Sequence, residues 1–207
     1  MLLGARQFFE RRGPKLPYDA EVEYLESTGT QWILAWSGTT DSTFGLKATF
    51  SCAYNSDNYP AGFSTLNQKR FLFWGPYSSS WRYGWGTYST ITATPRFPLS
   101  EYPSGLDNYY TGSINYLNNG KVSFGNDTLY GLPQVQYFQN VDFRLFRSFG
   151  AAVPACRILS ATLTIGNKVV RDLIPVRKGM VGYMYDRVSG RLFGNAGTGA
   201  FLYGNNK

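Results

Sequence analysis

Histidine is absent from this chain of 207 residues, and only two cysteines are present. Without histidine there is no Ser-His-Asp or Cys-His catalysis and no histidine ligand for a metal. Charged residues make up 16% of the chain, whereas a soluble domain usually has about a quarter. No run of about eighteen apolar residues occurs, so we predict no transmembrane helix and no membrane partner. These absences exclude several large classes of enzyme before any motif is considered.

The two cysteines, Cys52 and Cys156, have neither CxxC spacing nor the number that a zinc site needs. Cys52 falls in an alternating strand pattern where any small hydrophobic residue would fit. We therefore expect two buried free thiols rather than a disulfide. Acidic and amide groups at 56–58, 107–108 and 126–127 are candidate calcium ligands without a recognisable calcium-loop pattern. We therefore assign no metal ligand, leave a bound ion as an open alternative, and predict no cofactor.

Positive charge is concentrated near the amino terminus. The chain has a net charge of +7, but Lys and Arg elsewhere occur at most in pairs. Nucleic-acid binders usually cluster basic residues on one face or helix, so we predict no nucleic-acid partner.

The first dozen residues could begin a helix, which Gly13, Pro14 and Pro17 would stop. So short a helix is unstable alone in water, and it would be frayed unless it packs on a partner. We predict that residues 1–20 form an attachment arm, with a disordered tail as the alternative. Its partner-binding residues would be Arg6, Phe8, Phe9, Arg11 and Arg12.

In the rest of the chain, apolar and polar residues alternate with period two, and helical periodicity is nearly missing. In 43–54 the alternation places Phe44, Leu46, Ala48 and Phe50 on one face. Asn119-Gly120 and Gly166-Asn167 are typical of tight hairpin turns. Many short strands separated by turn residues predict an all-β antiparallel sandwich or barrel.

Aromatic residues are abundant, with 16 tyrosines, 15 phenylalanines and 5 tryptophans, and they are densest in residues 71–88. In an extended 81–86 segment, three rings share one face and could stack against sugars. The same rings could instead form a core layer of the sandwich, which we favour for most of the stripe, while expecting Trp81 or Tyr88 to be exposed. The predicted ligand-binding residues are Trp74, Tyr77, Trp81, Arg82, Tyr83, Trp85 and Tyr88.

Catalysis by paired carboxylates would have to come from the acidic stretch at residues 19–26. Glu21 and Glu23 would share a strand face there, and a glycosidase needs two such groups. The stretch lacks the Glu-x-Asp-x-Glu arrangement of jelly-roll hydrolases, however, and charges on an edge strand also prevent unwanted pairing. We therefore predict no catalytic residue and no enzymatic activity, and keep a divergent glycosidase as an alternative.

Three segments carry a family resemblance: AEVEYLESTGTQWI, NYLNNGKVSF and RILSATLTIGNKVVRDLIPVRKGMVGYMYDRVSGRLFGNAGTGAF. They resemble the laminin-G-like, concanavalin A-like jelly-roll domains of gut bacterial surface proteins and phage structural proteins. The resemblance implies a jelly-roll β-sandwich over residues 21–207 and a non-enzymatic role in adhesion or recognition, commonly of glycans. It is specific for fold rather than ligand.

The carboxyl-terminal motif has a structural interpretation. Asp172 and Asp186 lie close in sequence to arginines, which predicts strand-end ion pairs with Arg171, Arg177 and Arg187. Gly190, Gly197 and Gly199 would permit turns. We therefore place none of these residues in the binding site.

The starting Met, the missing secretory signal and the basic arm suggest a virion location. We predict a phage capsid or tail protein that displays a lectin-like domain for glycan or host-surface recognition. Its partners would be other virion proteins, bound through the arm, and it could be a homo-oligomer. Two alternatives are a capsid decoration or assembly protein without glycan binding, and a carbohydrate-binding module on the bacterial cell surface.

Overall fold

The structure is a computed structural model that describes residues 15–39, 43–53, 61–65, 71–77, 80–87, 90–115, 120–130, 140–147 and 155–207. For 61–65, 71–77, 82–87 and 90–96 it describes the backbone only. Within these ranges there are seventeen strands and no helix. None of the described residues therefore forms a helix long and apolar enough to cross a membrane.

The strands, in chain order, are β1 (Ala20–Glu21), β2 (Leu25–Ser27), β3 (Ile33–Gly38), β4 (Gly45–Cys52), β5 (Ala61–Thr65), β6 (Phe71–Tyr77), β7 (Ser80–Thr87), β8 (Thr90–Pro98), β9 (Gly105–Asn115), β10 (Lys121–Phe124), β11 (Asp127–Leu129), β12 (Val141–Leu145), β13 (Cys156–Ile165), β14 (Lys168–Lys178), β15 (Val181–Asp186), β16 (Arg191–Phe193) and β17 (Leu202–Tyr203).

Two antiparallel sheets make up the fold. The larger has the order β11-β10-β9-β4-β13-β14-β15-β16, with β1 beside β14 and β2 between β13 and β17. The smaller has the order β3-β12-β5-β6-β7-β8. Side chains from both sheets meet in one apolar core, as in a sandwich of two sheets packed face to face. The predicted all-β antiparallel sandwich is confirmed.

Strand β4 shows why alternation predicts burial here. Phe44, Leu46, Ala48 and Phe50 are at most 1% exposed, whereas Lys47 lies on the opposite, exposed face. Successive side chains of a strand point to opposite faces, so one set enters the core. The predicted inner face of this strand is therefore correct for every residue that the structure describes.

Trp81 joins the two sheets rather than facing solvent. It is fully buried, and its ring packs against Phe124 and Phe50 of the larger sheet at centroid distances of 5.1 and 5.8 Å. Its indole N–H donates to the Tyr102 carbonyl oxygen at 2.7 Å. Of the two residues expected to be exposed, Trp81 is buried, so its assignment to an exposed ligand-binding surface is wrong, and Tyr88 lies outside the described residues. The ring instead packs against large rings of the other sheet across the core.

Cys52 and Cys156 form a disulfide, so the prediction of two free thiols is wrong. The two residues lie directly opposite each other on β4 and β13, with their Cα atoms 4.2 Å apart. Alternation placed Cys52 on the buried face of its strand, but it carries no information about which residue of a distant strand lies opposite.

The carboxyl-terminal hairpins follow the predicted turn chemistry. Gly166-Asn167 connects β13 to β14, and Gly166 has a φ of 59°, in the left-handed region that favours glycine. Gly120, at the start of β10, has a φ of 64°, while Asn119 lies outside the described residues.

Two of the three predicted arginine pairings form. Arg187 binds the carboxylate of Asp172 at 2.9 Å, and Arg171 lies 3.6 Å from the fully buried Asp186. Arg177 instead donates to the Asn206 side-chain oxygen at 2.8 Å, so its predicted pairing with an aspartate is wrong. Asn206 forms an isolated bridge with Val22, next to β1, so the partner of Arg177 comes from a distant part of the chain that local sequence did not identify.

Candidate functional site

The predicted aromatic platform is only partly described. Strand pairing places Trp74 opposite Tyr83 on β6 and β7, and Trp81 is buried as described above. The side chains of Trp74, Tyr77, Arg82, Tyr83 and Trp85 lie outside the described part, as does all of Tyr88. The arm residues Arg6, Phe8, Phe9, Arg11 and Arg12 also lie outside it. Apart from Trp81, these assignments stay predictions.

The acidic stretch near β1 is engaged in surface contacts. Glu21 accepts a hydrogen bond from the Tyr18 hydroxyl at 3.2 Å, and Glu23 accepts one from the Asn205 backbone N–H at 3.2 Å. Burial, reinforced by Glu21, raises the pKa of Tyr18 above its ordinary value. Both glutamates are exposed. In the part of the chain that the structure describes, no group of three or more Asp, Glu, Cys or His side chains could hold a metal.

A cavity of about 280 Å³ opens at the junction of three segments, and we call it the Trp32 pocket. Residues 29–32 lead into β3, residues 146–147 follow β12, and residues 197–198 lie between β16 and β17. Strand β3 is an end strand of the smaller sheet and β16 is an end strand of the larger one. The pocket therefore lies where the two sheets meet at an edge of the sandwich.

Asn195 ties the carboxyl-terminal loop to the strand that carries Trp32. Its side-chain oxygen accepts hydrogen bonds from the backbone N–H groups of Trp32 and Gly197 at 3.1 and 2.8 Å. Its amide donates to the Gly199 carbonyl at 2.8 Å. One side chain thus supplies hydrogen-bond partners to three backbone groups, each of which needs one. It also holds two walls of the pocket together.

Position 197 requires glycine because the two walls lie too close together for a side chain. A Cβ atom at this position would collide with the carbonyl oxygen of Thr30 and lie 2.7 Å from Cδ1 of Trp32. The Thr30 hydroxyl in turn donates to the Thr198 carbonyl at 2.9 Å. The segment predicted to be purely structural therefore also forms part of a cavity.

Gln31 organises the opposite wall. Its side chain is buried, and its oxygen accepts from the Thr28 backbone N–H at 2.8 Å and from the Ser27 hydroxyl at 3.1 Å. Gly29, in the middle of this turn, has a φ of 117°. Because these bonds are internal to residues 27–31, the wall is formed before any ligand binds.

Phe146 directs the chain toward Trp32 at the end of β12. It has a φ of 62°, which is rare for a bulky residue, and it is held there by burial and by packing against Phe201 at a centroid distance of 4.9 Å. Backbone strain of this kind clusters at ligand-binding positions, where the surrounding structure sustains it. Here it brings the next residue, Arg147, over the Trp32 ring.

Two guanidinium groups lie over Trp32, and they differ in their partners. Arg144 and Arg147 are each 5.1 Å from the ring centroid. Arg144 also pairs with Asp142 at 2.8 Å. Arg147 lines the cavity and is half-buried, and none of the carboxylates in the described ranges pairs with it. The pocket therefore contains a positive charge that no carboxylate of the described residues neutralises.

Arg157 differs from Arg147 because it has two carboxylate partners. It binds Glu26 at 2.7 Å and Asp107 at 2.8 Å, and it lies 4.4 Å from the Tyr24 ring centroid. Burial lowers the pKa of Arg157, but hydrogen bonds to Glu26, Tyr109 and Asp107 outweigh it and raise the pKa above its ordinary value. A guanidinium with this many partners stabilises the fold rather than recognising a ligand.

Sequence reasoning missed both main residues of the pocket. Trp32 lies in a segment whose family resemblance indicates the fold and not a ligand-binding residue. Arg147 follows the strand pattern of β12 and belongs to no recognised motif. The available signal was the tryptophan beside Thr-Gly-Thr-Gln, a polar turn next to a large ring. Nothing local indicated that an arginine from a distant strand would lie over it.

No protein-family model matches the sequence, and no curated protein matches it significantly. The structure is similar to that of a native heptameric SAP-like pentraxin from Limulus polyphemus, with 7% sequence identity and a TM-score of 0.53. The match covers 91% of this chain and 98% of that chain. It confirms the predicted concanavalin A-like jelly-roll fold, whereas the laminin-G-like assignment within that fold stays a prediction.

Proposed function

We propose that this protein is a non-enzymatic recognition domain that binds a glycan in the Trp32 pocket. The observation that carries the proposal is the grouping of an indole ring, a guanidinium without a carboxylate partner in the described ranges, and threonine hydroxyls around one surface cavity. Sugar sites combine an aromatic surface for C–H groups with a few polar groups that bind hydroxyls. At about 280 Å³, the cavity is near the lower end for ligand pockets, which suits one sugar unit or the end of a longer chain.

The rigidity of the walls supports binding at this place. Asn195, Gln31 and the close approach at Gly197 hold the cavity in shape by bonds within the protein. A site that is already formed loses little conformational entropy when a ligand enters. The Trp32 pocket is therefore suited to recognise a small rigid group.

The absence of acidic residues from the pocket lining supports a role in binding rather than hydrolysis. Glycoside hydrolysis needs two carboxylates on either side of the scissile bond, and the described residues that line the cavity include neither Asp nor Glu. Glu21 and Glu23, the candidates of the divergent-glycosidase alternative, have hydrogen-bond partners outside the pocket.

The test is binding of the purified protein to an array of glycans, followed by calorimetry with the best ligand. Trp32→Ala should weaken binding by about tenfold or more, as truncation of a central aromatic contact usually does. Thr198→Val removes an exposed hydroxyl with little risk to folding and should also weaken binding. Tyr130→Ala is the control, since Tyr130 is 69% exposed and does not line the pocket. Unchanged affinity in both pocket variants, or no glycan bound by the wild type, would disprove the proposal.

For location, we propose display on a virion through residues 1–20. The sequence resemblance to phage structural proteins and the basic, aromatic composition of the arm support this. The disulfide supports an oxidising environment, which a released virion and a bacterial cell surface both provide.

Deleting residues 1–18 tests this location. The truncated domain should stay folded, as judged by its thermal unfolding, and should be lost from purified virus particles. Particles that still contain the truncated protein would refute attachment through the arm, and recovery of the full chain only in the cell-surface fraction would favour the bacterial alternative.

A further inference from the structure

We infer that the Trp32 pocket selects a saccharide that carries a carboxylate, and that Arg147 is the residue that binds this carboxylate. The inference rests on the proposed function, because it assumes that a sugar occupies the pocket. It goes further in naming the chemical class of the sugar and the residue that determines specificity.

The first support is the way Arg147 is held. A guanidinium that lies over an aromatic ring is attracted through its face, while its five N–H donors point outward in its plane. The Cζ atom of Arg147 lies 5.1 Å from the Trp32 ring centroid. Within the described ranges Arg147 has no carboxylate partner, so its contact with Trp32 leaves its donors without an ion pair among those residues.

The second support is the charge around the pocket. The Asp142 carboxylate already has a cationic partner in Arg144, the other guanidinium over Trp32. The described residues that line the pocket include neither Asp nor Glu. A half-buried charge that has no carboxylate partner among the described residues is unfavourable, so an anionic group that enters the cavity would relieve that cost.

The third support concerns the shape of the anion. A carboxylate is planar and presents two oxygens, which matches two parallel N–H groups of one guanidinium. Its single charge equals that of Arg147, whereas a phosphate monoester carries about 1.5 to 2 negative charges and would need a second cation. The Thr198 hydroxyl has no hydrogen-bond partner in the described part of the chain. It can therefore form a hydrogen bond with a sugar hydroxyl next to the carboxylate.

The experiment compares matched sugars that differ only at C6. Methyl galacturonoside and methyl galactoside, and the corresponding glucuronoside and glucoside, are titrated into the 15N-labelled full chain while the indole N–H signal of Trp32 is followed. That signal is assigned from a Trp32→Phe variant. Because a charge-assisted hydrogen bond replaces a neutral one, the uronoside should bind at least about tenfold more tightly. Added salt should reduce this preference.

Two variants assign the preference to Arg147. Arg147→Gln should bind both sugars of a pair with the same affinity, and Arg147→Lys should keep only part of the preference, because it retains the charge but loses the planar pair of donors. Arg191→Gln is the matched control: it removes an equal charge that lies 5.7 Å from the Phe193 ring centroid, outside the pocket. This control should keep the full preference. If Arg147→Gln fails to fold, the reduced preference of Arg147→Lys remains the supporting result.

Several results would overturn the inference. The inference is wrong if the wild-type protein binds both sugars of a pair with equal affinity, or if Arg147→Lys or Arg147→Gln keeps the full preference. It is also wrong if a 6-sulfated galactoside binds more tightly than the uronoside. Propionate that binds as tightly as the uronoside would also overturn it, since the sugar would then contribute nothing. Neutral sugars that shift the Trp32 signal as strongly as uronosides would leave the proposed function intact. If no sugar shifts the Trp32 signal, both this inference and the proposed function are wrong.

Discussion

Loss of the disulfide between Cys52 and Cys156 should reduce the free energy of unfolding by about 4–5 kcal/mol. The bond joins residues separated by 104 positions, and the entropy that a loop of about this length gains in the unfolded chain gives that value. Both residues are fully buried, and buried free cysteines behave as small hydrophobic residues. The native contacts should therefore survive reduction, and most of the loss should come from the unfolded state.

Urea denaturation of the oxidised and reduced protein measures this effect, with mass spectrometry to count the two hydrogens gained on reduction. The reduced protein should unfold at lower urea and with a steeper dependence, because its unfolded chain exposes more surface. Cys52→Ala, Cys156→Ala and the double variant should be about equally unstable, since breaking either end opens the same loop. A loss below about 1 kcal/mol, or two single losses that add up in the double variant, would refute the loop-closure reasoning.

Three further perturbations test the core, the pocket and the pH dependence. Trp81→Ala should cost about 3–5 kcal/mol by chemical denaturation, and a loss below about 1 kcal/mol would contradict its burial between the sheets. Gly197→Ala should cost about 1–3 kcal/mol and also weaken glycan binding, because its Cβ would displace the Thr30 backbone; unchanged affinity in calorimetry would contradict this. Burial, reinforced by Asp127, raises the pKa of Tyr102 in the folded protein above 10.0. The stability that this shift contributes is therefore complete below pH 10, and it is lost as the pH rises through the raised pKa of the folded protein. Thermal unfolding between pH 8 and 12 should show this loss reduced in Tyr102→Phe.

The elements whose cause is local could be predicted. The inner face of β4 follows from alternation over consecutive residues, and the turn at Gly166-Asn167 follows from residues that tolerate positive φ. Arg187 and Asp172 pair because a hairpin between neighbouring strands brings them together. In each case, the residues that determine the structure lie within about fifteen positions of one another, so their pattern is visible in the chain.

The features that failed or were missed depend on distant segments. Whether Trp81 faces solvent was decided by Phe124 and Tyr102 across the core, and the fate of Cys52 was decided by the register of β13 against β4. The pocket needs Trp32, Arg147 and Gly197 from three parts of the chain. No periodic pattern links these residues, since each belongs to a different strand end.

By itself, the sequence determined an all-β sandwich without histidine chemistry, because strand alternation and turn residues act over a few positions and composition is independent of folding. Only the tertiary structure decided which of the described aromatic rings are buried, that the cysteines meet, and that Arg147 lies over Trp32. The physical reason is that strand register and the packing of one sheet on another are collective. They depend on every pairing in both sheets at once, so they bring residues together that no local rule relates.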